Sequence, residues 1–238
     1  AAFVALDARS GAYRALVGGF DFEISKFNHV SQAWRQPGSS MKPFIYSAAL
    51  EKGLGSGSMV EDTPLTIGTW SPQNDDNVYD GAVSLRTGLA KSKNVVAVRV
   101  LQNVGAAYGR EFLPRFGFDL AKQPDNLTLA LGTGSVTPLQ MAGAYSVFAN
   151  GGYSVAPYLI AKVVDQRGKV LFEAKPPVQQ ESERVLDARN AFIVDHMLRE
   201  VVRSGTGAAA TQKLQRRDLA GKTGTTSDAV DGWFAGYS

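Results

Sequence analysis

There is no cysteine among the 238 residues, so disulfides, thiolate nucleophiles and cysteine-ligated zinc are excluded. Histidine is nearly absent too. The two present, His29 and His196, lie far apart without metal-ligand spacing. A Ser-His-Asp triad through either one has no Gly-x-Ser-x-Gly elbow to support it. No apolar run approaches the ~18 residues of a membrane span, and no signal peptide is visible. Charge of one sign is also scarce: the formal net charge is +3, with the basic residues spread along the chain. The tightest basic cluster, Arg216-Arg217, reads as a solvated turn, which leaves no nucleic-acid patch. What remains is an ordinary globular composition, 44% hydrophobic and 20% charged, enough for a real core.

The chain begins at Ala1-Ala2-Phe3 inside one apolar segment and stops at Gly236-Tyr237-Ser238 inside another, which reads as a piece of a longer protein. Residues 2–7 and 12–18 form a hairpin pattern around Ala8-Arg9-Ser10-Gly11. Gln36-Pro37-Gly38 breaks the chain just before Ser39. Pro43 lacks an N–H, so a helix has to begin near Ser39 or Ser40 and run to Leu50, where Gly53 stops it. From Gly53 to Gly81 the composition predicts mostly loop. Within it, Asp75-Asp76-Asn77-Val78-Tyr79-Asp80 hints at a calcium loop but lacks the central Gly and terminal Glu.

Ser84 caps a helix towards Ala90, and another apolar stretch runs from Val95 to Leu101. Thr137-Pro138 opens a helix through Phe148. A hairpin follows over Tyr158–Val164 and Lys169–Ala174. Asp187 then caps a helix whose apolar face is Ala188, Ala191, Phe192, Met197, Leu198 and Val202. Leu219–Thr225 and Trp233–Tyr237 read as strands, with Ser227-Asp228-Ala229-Val230-Asp231 turning between them. Early strands, a helical middle and late strands predict an α+β or three-layer fold in which both chain ends share one sheet.

Three short motifs carry chemistry: Ser39-Ser40-Met41-Lys42, Ser92-Lys93-Asn94 and Lys222-Thr223-Gly224-Thr225. A serine hydroxyl is a poor nucleophile until a base takes its proton. Ser39 and Lys42, three apart, share a helix face. Lys42 serves as that base only if burial or a cationic neighbour brings its pKa towards neutrality. The helix start adds free N–H groups and partial positive charge where an oxyanion forms. Ser40 has Pro43 at the same offset, so Ser39 is the better candidate.

Ser92-Lys93-Asn94 by itself reads as a polar helix end; on a tight loop its hydroxyl and amide would point into one cleft, Ser92 to pass a proton to a leaving amine and Asn94 to bind a substrate amide. In a strand, Thr223 and Thr225 share a face while Gly224 admits another backbone. Two hydroxyls and the Lys222 ammonium make a carboxylate clamp. Gly221-Lys222-Thr223 also ends like a P-loop, but Arg216 stands where that motif needs Gly. Gly205-Thr206-Gly207 follows a helix rather than a strand and reads as a helix stop.

With these motifs in order, the chain resembles the transpeptidase domain of class A penicillin-binding proteins. Arg35-Gln36-Pro37-Gly38-Ser39-Ser40-Met41-Lys42-Pro43-Phe44 resembles that family's nucleophile segment. Trp70-Ser71-Pro72-Gln73-Asn74, Leu129-Ala130-Leu131-Gly132, Thr137-Pro138-Leu139-Gln140-Met141-Ala142 and Gly221-Lys222-Thr223-Gly224-Thr225-Thr226 extend the likeness along the whole chain.

The resemblance implies the penicillin-recognising α+β fold, an antiparallel sheet flanked by helices with a helical subdomain. Residues 1–238 would be one transpeptidase domain, with sheet parts at about 1–20 and 156–238 and a helical and loop part at about 35–155. The family fold continues with a further strand and a terminal helix, which this chain lacks.

It also implies an enzyme that cross-links peptidoglycan stem peptides, with no metal or cofactor. Ser39 attacks the carbonyl between two terminal D-alanines, Lys42 is the general base, and Ser92 relays a proton to the leaving group. Asn94 holds the donor peptide, and Lys222, Thr223, Gly224 and Thr225 hold its carboxylate. The backbone N–H groups of Ser39 and Thr225 form the oxyanion hole. An amine of a neighbouring stem peptide, the acceptor, resolves the acyl-enzyme, with carboxypeptidase hydrolysis as a side activity. β-Lactams imitate D-Ala-D-Ala and stay on Ser39. The full-length protein would be membrane-anchored, carry a glycosyltransferase domain, and work on the extracytoplasmic face of the bacterial cytoplasmic membrane.

A serine β-lactamase shares the motifs but needs a deacylating glutamate. The lookalike Glu183-Arg184-Val185-Leu186-Asp187 comes too late in the chain for that role. A non-enzymatic β-lactam sensor needs the same acylation chemistry and is separated only by turnover. The residue offset gives a direct expectation: mass spectrometry after β-lactam treatment finds an adduct on Ser39, absent in Ser39→Ala and kept in Ser40→Ala. An adduct on Ser40 removes the central assignment.

Overall fold

The segment around Ser39 opens the helix that the rest of the domain wraps. The computed structural model describes residues 1–226 and 230–238. In it, a 3-10 turn over Gly38–Met41 feeds α1 (Lys42–Glu51), with Pro43 in the first helical turn where a missing N–H costs nothing. Every α1 residue from Lys42 to Ala49 is buried. A helix apolar on all sides has to be a core helix. Around it pack α2 (Leu85–Ala90), α3 (Asn94–Val104), α4 (Ala106–Phe112) and α6 (Ala188–Arg203). The Phe44 ring of α1 meets Phe116, Phe118, Tyr145 and Phe148 at centroid distances of 4.8, 4.9, 5.5 and 5.2 Å. Such aromatic pairs add about 0.5–1.5 kcal/mol each beyond area burial, and here they fix the helix that carries Lys42.

The caps expected from sequence are present. The Ser84 side chain accepts from Thr87 N, and the Asp187 side chain accepts from Arg189 N. Thr137 and Gln140 form a full capping box at α5 (Pro138–Ala149). The Gly205-Gly207 stop also fits, since α6 ends at Arg203 and α7 (Ala208–Leu214) starts beyond it.

Among the described residues the strands pair as four antiparallel two-stranded ladders: β1 (Phe3–Leu6) with β2 (Tyr13–Val17), β3 (Met59–Asp62) with β4 (Gly81–Ser84), β5 (Lys162–Val164) with β6 (Val170–Glu173), and β7 (Ala220–Thr225) with β8 (Gly232–Tyr237). The β3–β4 ladder lies at the two ends of the segment expected to be mostly loop. Its strands are four residues each, Met59-Val60-Glu61-Asp62 and Gly81-Ala82-Val83-Ser84, too short for a period-two pattern to emerge.

The expectation that both chain ends share one sheet is also corrected. Among the described residues β1 and β8 are not paired; both lie against α5 and flank a cavity of about 1340 Å³ that Phe3, Val4, Tyr145, Trp233 and Tyr237 help to line. On α6 the buried face is Asn190, Ala191, Val194, Met197, Leu198, Val201 and Val202, whereas Ala188 is exposed and Phe192 is 71% exposed. Asn190 takes the core position instead, because Ser47 of α1 offers both hydroxyl and carbonyl partners at 2.8 Å. Of the turn expected after β7, residues 227–229 lie outside the described residues.

β7 reaches the nucleophile segment by backbone contact. Gly38 has φ +54° and lies so close to Thr225 that an added Cβ would sit 2.4 Å from its carbonyl oxygen. A Cβ on Gly224 would sit 2.4 Å from both Pro37 O and Ser40 Oγ. Side chains at these positions would push strand and nucleophile turn apart. Overpacking of this kind costs about 1–3 kcal/mol. Gly224→Ala should therefore lower the melting midpoint by roughly 2–10 °C. The displaced strand should also slow β-lactam acylation in the folded protein. A calorimetric scan with a stopped-flow acylation assay checks both, and an unchanged midpoint and rate would refute the contact.

Candidate active site

Ser39 and Lys42 are brought onto one face by the 3-10 turn, in which residues i and i+3 eclipse. Ser39 stays half-exposed, while Ser40 is buried against Gly224 with its hydroxyl unpartnered. Lys42 is fully buried. Its ammonium bonds to the far side of the cleft, donating to Ser92 O at 2.7 Å, Ser92 Oγ at 3.3 Å and Asn94 Oδ1 at 2.6 Å.

Ser92 sits in the turn joining α2 to α3, and Asn94 is the first residue of α3. Backbone bonds from Ser92 N to Leu89 O and from Lys93 N to Gly88 O tighten the turn. Ser92 adopts φ +58°, a left-handed conformation that costs a non-glycine residue about 1–2 kcal/mol. That turn aims the Ser92 hydroxyl between two lysines, since Lys222 Nζ donates to Ser92 Oγ at 2.8 Å. Lys222 also donates to Thr223 O at 3.0 Å and is itself fully buried.

Two ammonium groups buried around one hydroxyl repel each other and lack water. Burial pushes the Lys42 ammonium well below the usual lysine range, with Lys222 adding repulsion and Asp75 opposing both. Burial brings Lys222 down to about 7, again opposed by Asp75. The pair can therefore hold a neutral amine at Lys42 beside a cation at Lys222 near neutral pH. That is the arrangement a serine-activating base and an anion-attracting charge require.

Strand alternation turns Lys222 and Gly224 inward and Thr223 and Thr225 to the other face. Thr223 Oγ1 lies 2.7 Å from Thr206 Oγ1, and Thr225 is exposed. Ser39 and Thr225, whose amides are the expected oxyanion donors, lie on the two elements that meet at Gly38. Asn94 directs its carbonyl oxygen to Lys42, and its amide nitrogen donates to Gln73 O at 3.0 Å and Asp75 Oδ1 at 2.8 Å.

Of the eight residues singled out from sequence, Lys42, Ser92, Asn94 and Lys222 are joined by direct hydrogen bonds, Gly224 packs against Ser40 beside Ser39, and Thr223 and Thr225 lie on the other face of β7; the structure adds Thr206, Gln73 and Asp75. Thr206 belongs to the Gly-Thr-Gly stretch whose helix-stop reading is correct but incomplete. Asp75 belongs to the acidic stretch read as a rejected calcium loop. Nothing in the sequence spacing ties either to its partner.

The sign of the pH dependence follows from the two lysines. Lys42 is a base only when neutral, so acylation falls as pH drops through its lowered pKa. Lys222 attracts an anion only when protonated, so acylation by a carboxylate-bearing β-lactam should also decline as pH rises through about 7. A neutral ester of the same β-lactam should lack the alkaline decline. Second-order acylation constants across pH check this, and identical alkaline limbs would remove Lys222 from ligand attraction.

Comparison with known proteins shows the family. The family model described as "Penicillin binding protein transpeptidase domain" matches residues 1–238. Penicillin-binding protein 1A of Neisseria lactamica is 46% identical over 245 residues, covering 100% of this chain and 31% of that protein. The chain spans about a third of the length of the curated relatives it matches. The crystal structure of penicillin-binding protein 1A from Haemophilus influenzae superposes with a TM-score of 0.94 at 39% identity, covering 99% of this chain and 41% of that one. The PonA1 protein from Mycobacterium tuberculosis in complex with penicillin V gives 0.83 at 27% identity, covering 100% of this chain and 65% of that one.

Proposed function

The chain belongs to the penicillin-binding protein transpeptidase family, and from that premise we propose that it is a peptidoglycan DD-transpeptidase domain acting through Ser39. The observation that carries the assignment is the pair of buried lysines sharing the Ser92 hydroxyl, with Ser39 one 3-10 turn from Lys42. Neutral Lys42 takes the Ser39 proton, and Ser39 Oγ attacks the carbonyl of the penultimate D-alanine. The amides of Ser39 and Thr225 receive the oxyanion, and collapse breaks the peptide bond. Ser92, bridging Lys42 and Lys222, passes the proton to the departing D-alanine amine.

The donor carboxylate meets the hydroxyls of Thr223 and Thr225, with Lys222 supplying charge behind Ser92. Asn94 holds the donor peptide by exchanging one N–H bond; the longer, uncharged one to Gln73 O is the one to yield. An acceptor amine then attacks the acyl-enzyme, forming the cross-link and freeing Ser39. Water in its place gives carboxypeptidase hydrolysis.

β-Lactams acylate the same serine, as the penicillin V complex of the M. tuberculosis relative suggests by analogy. No helix among the described residues is long and apolar enough to cross a membrane. We place the whole protein on the extracytoplasmic face of the bacterial cytoplasmic membrane, anchored with a glycosyltransferase domain. Against a β-lactamase, Glu183 is exposed in a 3-10 turn followed by Val185, whose N–H bonds Gly152 O.

The test supplies a D-Ala-D-Ala donor peptide and an amine acceptor, and follows free D-alanine and cross-linked product by mass spectrometry. Product with a long-lived β-lactam adduct supports the reading. An adduct without product means a sensor, and rapid loss of the adduct means a β-lactamase. Losing a hydrogen bond to a charged group costs about 1.5–3 kcal/mol, so Thr225→Val should slow acylation by carboxylate ligands roughly ten- to a hundredfold. Ester analogues should be nearly indifferent. Equal slowing of both would assign Thr225 to the oxyanion hole or the strand instead.

A further inference from the structure

The segment from Asp62 to Asp80 runs between β3 and β4 and carries the acidic stretch that sequence suggested for calcium. The cation its carboxylates hold is Lys93, the central residue of the Ser92–Asn94 turn. Lys93 Nζ lies 3.4 Å from Asp62, 3.5 Å from Asp76 and 3.4 Å from Asp80, and donates to Val78 O at 2.8 Å. Its side chain is 3% exposed, and that of Asp62 is completely buried. Asn74 ties the same segment to the start of α3, donating to Asp62 Oδ1 at 2.7 Å and accepting from Val95 N at 3.2 Å. On the other side of Lys93, Asp75 grips Asn94 at 2.8 Å.

This arrangement exceeds what a helix start needs. Burying an ammonium among carboxylates carries a desolvation cost that its pairing barely offsets, and apolar side chains in place of the whole ionic cluster often serve stability as well. What the cluster does supply is position. Ser92 is held in a left-handed conformation, and such a conformation persists only where its surroundings over-determine it. The Lys93 side chain is drawn into the acidic segment, while the residues on either side of it face Lys42. The Asn94 amide has a forced orientation, because Asp75 and Gln73 O both require N–H and Lys42 requires the carbonyl oxygen.

We propose that Lys93 and Asp75 are positioning residues, which lock the Ser92–Asn94 turn onto the 62–80 segment and so hold Ser92 and Asn94 against Lys42. The proposal rests on the acyl-transfer reading of the site. Neither residue touches the reacting atoms; both act through their neighbours.

The experiment compares Lys93→Met, Asp75→Ala and Asp75→Asn in the intact protein, by β-lactam acylation, thermal midpoint and crystal structure. Misplacement by an ångström costs up to about a hundredfold in rate, so Lys93→Met should acylate roughly ten- to a hundredfold more slowly. Asp75→Ala, a surface change, should slow acylation about tenfold at an unchanged midpoint, and Asp75→Asn, which keeps the acceptor, should recover to within about threefold. A merely structural cluster would move the midpoint and leave rates alone.

Parental rates in folded Lys93→Met or in Asp75→Ala overturn the proposal, as does Asp75→Asn being as slow as Asp75→Ala. If Lys93→Met does not fold, the two Asp75 variants decide. If the parent forms no acyl-enzyme, the acyl-transfer reading fails by itself. The crystal structures still decide positioning: Ser92 leaving the left-handed region and Asn94 leaving Lys42 support it, and unchanged geometry overturns it.

Discussion

Two lysine side chains buried on one serine hydroxyl set the terms for everything around them. A primary amine loses its proton near neutral pH only when water is kept away or a like charge stands beside it. Lys42 has both, and Lys222 has the first. To deliver that environment, α1 must be enclosed on every side, which explains why its polar lysine and its aromatic Phe44 belong to one buried helix. The core is the means by which a basic residue is kept dry, and the cleft is where that dryness stops.

The same constraint explains the close backbone packing. A cleft bordered by a 3-10 turn, a helix–helix turn and a strand has three independent walls, and each carries part of the chemistry. Gly38 and Gly224 remove the side chains that would separate the strand from the nucleophile turn. The 62–80 segment backs the third wall from outside, with carboxylates on the middle residue and on Asn94. Of these carboxylates Asp75 is the one that acts on the two lysines, opposing the fall in their basicity that burial causes.

Much of this was legible in the sequence because it is local. The offset of Ser39 from Lys42, the proline that fixes the helix start, the caps at Ser84, Thr137 and Asp187, and the shared face of Thr223 and Thr225 are all short-range patterns. What stayed hidden is long-range or too short to carry a period. The four-residue strands β3 and β4 have no readable alternation. Asp75 reaches Asn94, and Thr206 reaches Thr223, across loops whose closure no spacing announces. The exposed Phe192 and buried Asn190 invert the usual preference because one asparagine finds two partners on α1.

The cavity between β1 and β8 has a consequence for handling the molecule. Among the described residues each of those strands is paired on one side only, so each offers a row of backbone donors and acceptors to whatever extended chain comes near. Apolar side chains such as Phe3 and Trp233 line the space between them. In concentrated solution that open edge offers a route to self-association by strand addition, on the side of β8 away from its pairing with β7.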